Sequence, residues 1–217
     1  FRERKTIMET IKRILQNKIT DRITPGKAIL IFGARRVGKT VLMRRIVDEY
    51  PGKTMMLNGE DYDTQALLTN RTIANYRHLL EGIDLLVIDE AQSIPHIGSI
   101  LKLIVDEIKG IKVLASGSSS FDLLNKTGEP LVGRSTQFIL TPFSQQEINQ
   151  IETPFQTRQN LEARLIYGSY PEVVTIDSFE QKTDYLRDIV RAYLLKDILA
   201  IDGLKNSSKM LELLRLI

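Results

Sequence analysis

The sequence contains no cysteine among its 217 residues. That absence removes disulfide frameworks, thiolate zinc sites, iron–sulfur ligation and thiol nucleophiles together. Histidine is nearly as scarce, with His78 and His96 the only two, too few for a histidine-rich metal centre. Long apolar runs are missing as well. The longest clean ones, Ala28–Phe32 and Leu85–Ile88, fall far short of the ~20 residues needed to span a bilayer. The start, Phe1-Arg2-Glu3-Arg4-Lys5, alternates charge and has neither an apolar h-region nor a cleavage site. A cytoplasmic protein without membrane association is expected. Excess charge of one sign is also lacking. Thirty basic against 27 acidic residues leave +3, which reads as a solvated mixed-charge surface and does not by itself indicate nucleic acid. What is present is a globular profile, 42% hydrophobic and 26% charged, which excludes disordered and collagen-like chains. The length allows one or two domains, with a core large enough to fold without staples. The chain opens at Phe1 and stops at Ile217 inside the apolar-rich helical pattern Lys209–Ile217. A piece of a longer protein is therefore expected.

Along the chain, residues 5–19 place Ile7, Ile11, Ile14, Leu15 and Ile19 at helical spacing and predict an amphipathic entry helix. After the Thr24-Pro25-Gly26 turn, strands and helices alternate. Strands are expected at Ala28–Phe32, Thr54–Leu57, Leu85–Ile88, Val113–Ala115 and Gln137–Leu140. Helices are expected at Lys39–Tyr50, Thr64–Leu80, Ile97–Ile108 and, briefly, Phe121–Asn125. Such alternation implies a parallel sheet with helices on both faces. Beyond Pro142 only helical patterns remain, at Ser144–Ile151, Arg158–Tyr167, Phe179–Ile201 and Ser207–Ile217. The expected organisation is an N-terminal helix over 1–22, an α/β core over 23–142, a small all-α lid over 143–203, and the start of a further domain over 204–217.

Gly33-Ala34-Arg35-Arg36-Val37-Gly38-Lys39-Thr40 reads G-x4-G-K-T between a predicted strand and a predicted helix, the context of a phosphate-binding loop. Backbone N–H groups must curl around phosphates, glycines permit that curl, and the helix N-terminus adds partial positive charge. Lys39 is the expected partner of the β- and γ-phosphates, and the Thr40 hydroxyl of Mg²⁺. The whole loop, with Arg35, Arg36 and the following Val41, is the candidate nucleotide-binding segment. Leu85–Ile88 ends in Asp89-Glu90, 49 residues on from Thr40. Asp89 is the candidate second Mg²⁺ residue, and Glu90 the group that polarises an attacking water. A base beside the metal favours hydrolysis over transfer to a bound hydroxyl. Ser116-Gly117-Ser118-Ser119-Ser120 follows the fourth strand, at the ligand end of a parallel sheet. Ser116 or Ser118 is expected to contact the site, with Ser118 the candidate sensor. Arg134, just before the fifth strand, suits a developing phosphoryl charge or a structural ion pair.

Together these residues resemble the AAA-like branch of P-loop ATPases. Closer still, they are similar to the bacterial and archaeal ATPase family with a G-x-R-R-x-G-K-T loop and Asp89-Glu90-Ala91-Gln92. Gly117-Ser118-Ser119, Gly133-Arg134 and Pro142-Phe143-Ser144 extend the likeness across roughly residues 20–200. The resemblance implies a five-stranded P-loop NTPase sheet of order 5-1-4-3-2, a catalytic role for Glu90, and an arginine at position 134 that faces a neighbouring subunit in a homo-oligomer. Tyr167-Gly168-Ser169-Tyr170-Pro171-Glu172 resembles the G-x-P signature in the helical lid of signal-transduction ATPases. By that likeness Tyr170 and Pro171 face the nucleotide, and Arg164 is the nearest candidate for a lid arginine. Members of this family usually continue into a winged-helix and nuclease-like C-terminal region, through which DNA enters as a partner. In Asn125-Lys126-Thr127-Gly128 the aspartate that would read guanine is replaced by Gly128, so ATP is the expected nucleotide. The leading expectation is an ATP-hydrolysing conformational switch. The alternatives are a nucleic-acid-binding module with a regulatory ATP site, and a P-loop phosphotransferase acting on a small molecule.

Overall fold

The computed structural model describes residues 11–118 and 131–194. Contacts divide the chain into two compact units, one of which is Lys12–Thr141. The other, among the described residues, comprises Ile11 and 142–194.

The first unit is an α/β sandwich. Its elements are α1 (Leu15–Thr20), β1 (Ala28–Phe32), α2 (Lys39–Glu49), β2 (Thr54–Asn58), α3 (Tyr62–Thr69) and α4 (Ile73–Leu79). After these come β3 (Leu85–Asp89), a 3₁₀ turn at Ala91–Ser93, α5 (Ile97–Glu107), β4 (Lys112–Gly117) and β5 (Ser135–Ile139). The five strands form one all-parallel sheet of order β2-β3-β4-β1-β5. Read from the other edge this is 5-1-4-3-2, the order of a P-loop NTPase. Parallel strands covered on both faces must be apolar throughout, and β1 and β3 are buried at every position. Side chains alternate faces along a strand. Ala28, Leu30, Phe32, Leu86, Ile88, Val113 and Ala115 accordingly join a core cluster with Leu68, Tyr76, Ile97, Leu101 and Ile104 from α3, α4 and α5. On α2, Leu42, Met43 and Ile46 are buried, and this helix lies against β3 and β4. At the edge, β5 leaves Ile139 72% exposed.

Several helical boundaries differ from the sequence pattern. The entry helix expected over 5–19 is helical only at Leu15–Thr20 among its described residues, because Ile11 to Ile14 follow an irregular path. There Arg13, itself buried, donates to the Thr141 carbonyl. The helix expected over Thr64–Leu80 is two helices. Thr69 ends the first, and Thr72 caps the second by accepting from Asn75 N–H. A capping hydroxyl competes with helix continuation and restarts the ladder in a new direction.

In the second unit α6 (Gln145–Ile148), α7 (Pro154–Gln159), α8 (Leu161–Tyr167), α9 (Pro171–Thr175) and α10 (Phe179–Ile189) follow, with a π turn at Val190–Leu194. The helix expected over Arg158–Tyr167 is divided at Asn160, and Thr153 starts α7 with a capping box closed by Gln156. The helix expected over Phe179–Ile201 leaves α geometry at Val190. The short helix α9 went unread in the sequence, since five residues carry too little periodicity. Ile11, Phe143 and Ile148 form a small core here. The expectations at residues 5–10, Phe121–Asn125 and Ser207–Ile217 lie outside the described residues, as do Ser119 and Ser120. Among the described residues, no helix is long and apolar enough to cross a membrane.

Candidate nucleotide site

In a parallel sheet all strand carboxyl ends point the same way, so loops after neighbouring strands converge. Here β1 pairs with β4 in a register that sets Phe32 beside Gly117, and β4 pairs with β3 in one that sets Ala115 beside Ile88. The residues that follow are Gly33–Thr40, Ser116–Ser118 and Asp89–Glu90.

Gly33 turns the chain out of β1 under a tight constraint. A Cβ there would lie 2.3 Å from the Leu140 carbonyl oxygen, whose own N–H bonds Phe32 O at 2.7 Å. Val37 is fully buried and anchors the loop, while Ala34 and Arg36 are exposed and Arg35 is half-buried. Gly38 is the N-cap of α2, and its carbonyl accepts from Leu42 N–H. Lys39, only 4% exposed, folds its ammonium back over the loop to donate to Gly33 O at 3.0 Å and Ala34 O at 3.1 Å. A buried ammonium is costly unless hydrogen-bonded, and these carbonyls satisfy it beneath the turn. Val41 is half-buried on the first turn of α2.

Thr40 Oγ1 donates to Asp89 Oδ2 at 2.5 Å. The other oxygen, Asp89 Oδ1, accepts from the Ser116 hydroxyl and from Glu90 N–H at 3.1 Å. Glu90 N–H also donates to Ser116 Oγ at 3.1 Å. Asp89 is thus a buried carboxylate with both oxygens engaged. The hydroxyl found on it from the end of β4 is that of Ser116. Ser118 is buried, and its backbone N–H donates to Gln92 Oε1 at 3.3 Å.

Glu90 sits in the left-handed region at φ 48°, ψ 43°, an uncommon and strained backbone for a side-chain-bearing residue. Neighbours hold it there. Gly59 N–H donates to Asp89 O at 2.7 Å, and a Cβ on Gly59 would meet Glu90 O at 2.4 Å. The Glu90 carboxylate accepts from Gln92 Nε2 at 2.5 Å. Neither Gly59 nor Gln92 was given a role by the sequence reading. The signal for Gln92 was its place in Asp89-Glu90-Ala91-Gln92, two residues beyond Glu90, a spacing that shows contact only once the backbone turn at Glu90 is known.

A nucleotide and Mg²⁺ fit these residues. The loop holds a glycine with no room for a side chain, and a buried ammonium lies under it. A hydroxyl and a carboxylate oxygen stand together, and Mg²⁺ takes oxygen ligands from one or two side chains and completes its shell with phosphate and water.

The other predicted positions make contacts of their own. Arg134 forms an ion pair with Asp106 of α5, Nε to Oδ1 at 2.6 Å, with both side chains about a third or more exposed (42% and 31%). Tyr170 and Pro171 belong to the other compact unit, where Tyr170 precedes α9 and Pro171 is its buried first residue. Burial pushes the Tyr170 hydroxyl above its ordinary pKa. In the same unit Arg164 is engaged by both oxygens of Glu152 at 2.6 Å, and Tyr167 stacks on Phe179 at 5.7 Å.

Residues 25–149 match the AAA domain family, and residues 158–217 match a domain of unknown function. An uncharacterised protein of Methanocaldococcus jannaschii is 22% identical over 212 residues, 89% of this chain and 47% of that protein. One of Mycobacterium tuberculosis is 32% identical over 108 residues, 49% of this chain and 23% of its own. The chain therefore spans less than half the length of these relatives. Among solved structures, domain III of the Thermotoga maritima replication initiation protein DnaA is similar with a TM-score of 0.49 and 15% identity, over 84% of this chain and 95% of that one. A Pif1 helicase from Candida albicans is similar with a TM-score of 0.44 and 16% identity, over 70% and 44%.

Proposed function

The chain belongs to the AAA domain family, and from that premise we propose that it binds ATP with Mg²⁺ at Gly33–Val41 and hydrolyses the β–γ phosphoanhydride as a nucleotide-driven switch. The observation that carries this reading is the convergence of Lys39, Thr40, Asp89 and Glu90 at one end of the sheet, with Thr40 and Asp89 in direct contact at 2.5 Å.

Lys39 binds the β- and γ-phosphates, giving up its loop carbonyls to do so. Thr40 and Asp89 are the residues that hold Mg²⁺, which supplies neutralisation of phosphate charge. Glu90 orients a water toward the γ-phosphorus and accepts its proton. The P–O bond to the β-phosphate breaks as the bond to water forms, leaving ADP and inorganic phosphate. Ser116, bonded to Asp89 and to the Glu90 backbone, keeps the two acids in register. Ser118 belongs to the same reading as a sensor after β4, and Tyr170 and Pro171 as surfaces that the helical unit offers to the base. Arg134 is the residue offered to a neighbouring subunit in a homo-oligomer. Its exposed pair with Asp106 is worth only ~0–1 kcal/mol, a small cost to release it. DNA is the macromolecular partner in this proposal.

Phosphate release from ATP, followed with and without DNA and small-molecule acceptors, tests the proposal. The Glu90→Gln variant keeps the shape of the side chain and loses its basic carboxylate. It should bind ATP normally and turn over ~10²–10⁴-fold more slowly. Equal rates for wild type and variant would remove Glu90 as the base. ATP-dependent phosphorylation of an acceptor would favour the phosphotransferase reading.

A further inference from the structure

Gln92 occupies the middle of the 3₁₀ turn Ala91–Ser93, directly after the acid pair. That turn is firmly seated. Ala91 and Ile94 on either side are buried, Ser93 N–H donates to Glu90 O at 3.0 Å, and Ile94 N–H to Ala91 O at 3.0 Å. From this base the side-chain amide reaches in two directions. Nε2 donates to Glu90 Oε2 at 2.5 Å, and Oε1 accepts from Ser118 N–H at 3.3 Å. The chemistry of the two ends fixes the amide's orientation. A carboxylate oxygen only accepts and a backbone N–H only donates, so the bridge needs a group with a donor at one end and an acceptor at the other. Glutamine at this position meets that demand, and glutamate does not.

The Glu90 backbone is held independently. Its N–H is taken by Ser116 Oγ and Asp89 Oδ1, and Gly59 packs against its carbonyl. What those contacts leave unfixed is the far end of the side chain, where the carboxylate lies. Gln92 holds that end, and its own second bond is anchored on the first residue after β4.

We propose that Gln92 is a positioning residue that couples the backbone at Ser118 to the Glu90 carboxylate, so that displacement of the chain after β4 re-aims the base. This rests on the ATPase reading for its catalytic consequence, though the coupling itself is a property of the protein without nucleotide.

Two measurements test it. The first is amide hydrogen exchange at Ser118 in the full chain without nucleotide. Gln92→Ala removes the acceptor, and Glu90→Ala removes the anchor of the amide that supplies it. Each should speed exchange roughly tenfold or more, while Lys39→Ala should not. Where the alanine variant fails to fold, Gln92→Met keeps the volume without the amide. The second is a double-mutant cycle in ATP turnover. Gln92→Ala should lower kcat roughly 10- to 100-fold with ATP affinity held within about threefold, and should have no further effect in a Glu90→Gln background. Gln92→Glu, which sets two carboxylates together, should be at least as impaired. A Ser118 amide indifferent to both alanine variants overturns the coupling whatever the turnover assay reports. A loss of kcat repeated in full on the Glu90→Gln background also overturns it, since it shows that Gln92 does not act through Glu90. Wild type and Glu90→Gln with equal turnover would instead overturn the ATPase reading, and the exchange measurement would still decide the coupling.

Discussion

Thr40 and Asp89, 49 positions apart in sequence, are joined by a hydrogen bond of 2.5 Å from hydroxyl to carboxylate. The contact ties the first turn of α2 to the end of β3, and it sets a hydroxyl oxygen and a carboxylate oxygen side by side. Mg²⁺ favours such oxygens. Asp89→Asn keeps the shape and removes the charge. It should raise the Mg²⁺ concentration for half-maximal ATP turnover by about tenfold or more. A Mg²⁺ titration at saturating ATP checks this, and chelation of Mg²⁺ should abolish turnover in the wild type. An unchanged Mg²⁺ requirement would remove Asp89 from the metal site.

Lys39→Ala removes the ammonium beneath the loop. ATP affinity should fall by about 100-fold or more, the loss of two or more charge-assisted hydrogen bonds. Titration calorimetry measures the affinity, and circular dichroism checks that the fold is retained. Unchanged affinity would sink the phosphate-loop assignment.

Gly33→Ala forces a methyl group to within 2.3 Å of the Leu140 carbonyl. Backbone lines both sides of that contact, so neither can move aside as a flexible side chain would. Overpacking of this kind costs ~1–3 kcal/mol. A lower denaturation midpoint with an unchanged urea m-value is the expected result. A variant as stable as wild type would show that β1 and the Leu140 segment can separate without cost.

Arg134→Ala removes an exposed ion pair with Asp106, so stability should fall by no more than about 1 kcal/mol. Mixed with Lys39→Ala, it should regain part of the ATPase activity each lacks alone, because one chain contributes an intact pocket and the other an intact arginine. Such an arginine is worth ~10³–10⁵ in rate where it operates in trans. A mixture that stays inactive, or a rate per chain independent of protein concentration, would confine Arg134 to its bond with Asp106.

The α/β class was legible because its signals are local. Two of the inner strands are short apolar runs closed by a glycine or an acid, Ala28–Phe32 before Gly33 and Leu85–Ile88 before Asp89. The helix boundaries were less legible. Periodicity runs through Asn70 and Asn160 unbroken, whereas the helix ends at both, and after Asn70 the Thr72 side chain opens a new ladder by accepting from Asn75 N–H.

By itself, the sequence determined which segments are buried strands and where a glycine-rich turn meets a helix, because contiguous residue types dictate both. The strand order expected from family resemblance is the one found. The tertiary structure alone decided what meets at the carboxyl ends of those strands. Ser116 came to Asp89 and Gln92 to both Glu90 and Ser118, while Arg134 was drawn to Asp106. Each of these contacts joins a side chain to a partner fixed by parallel register or by the left-handed turn at Glu90. Neither constraint leaves a mark on the spacing of residues along the chain.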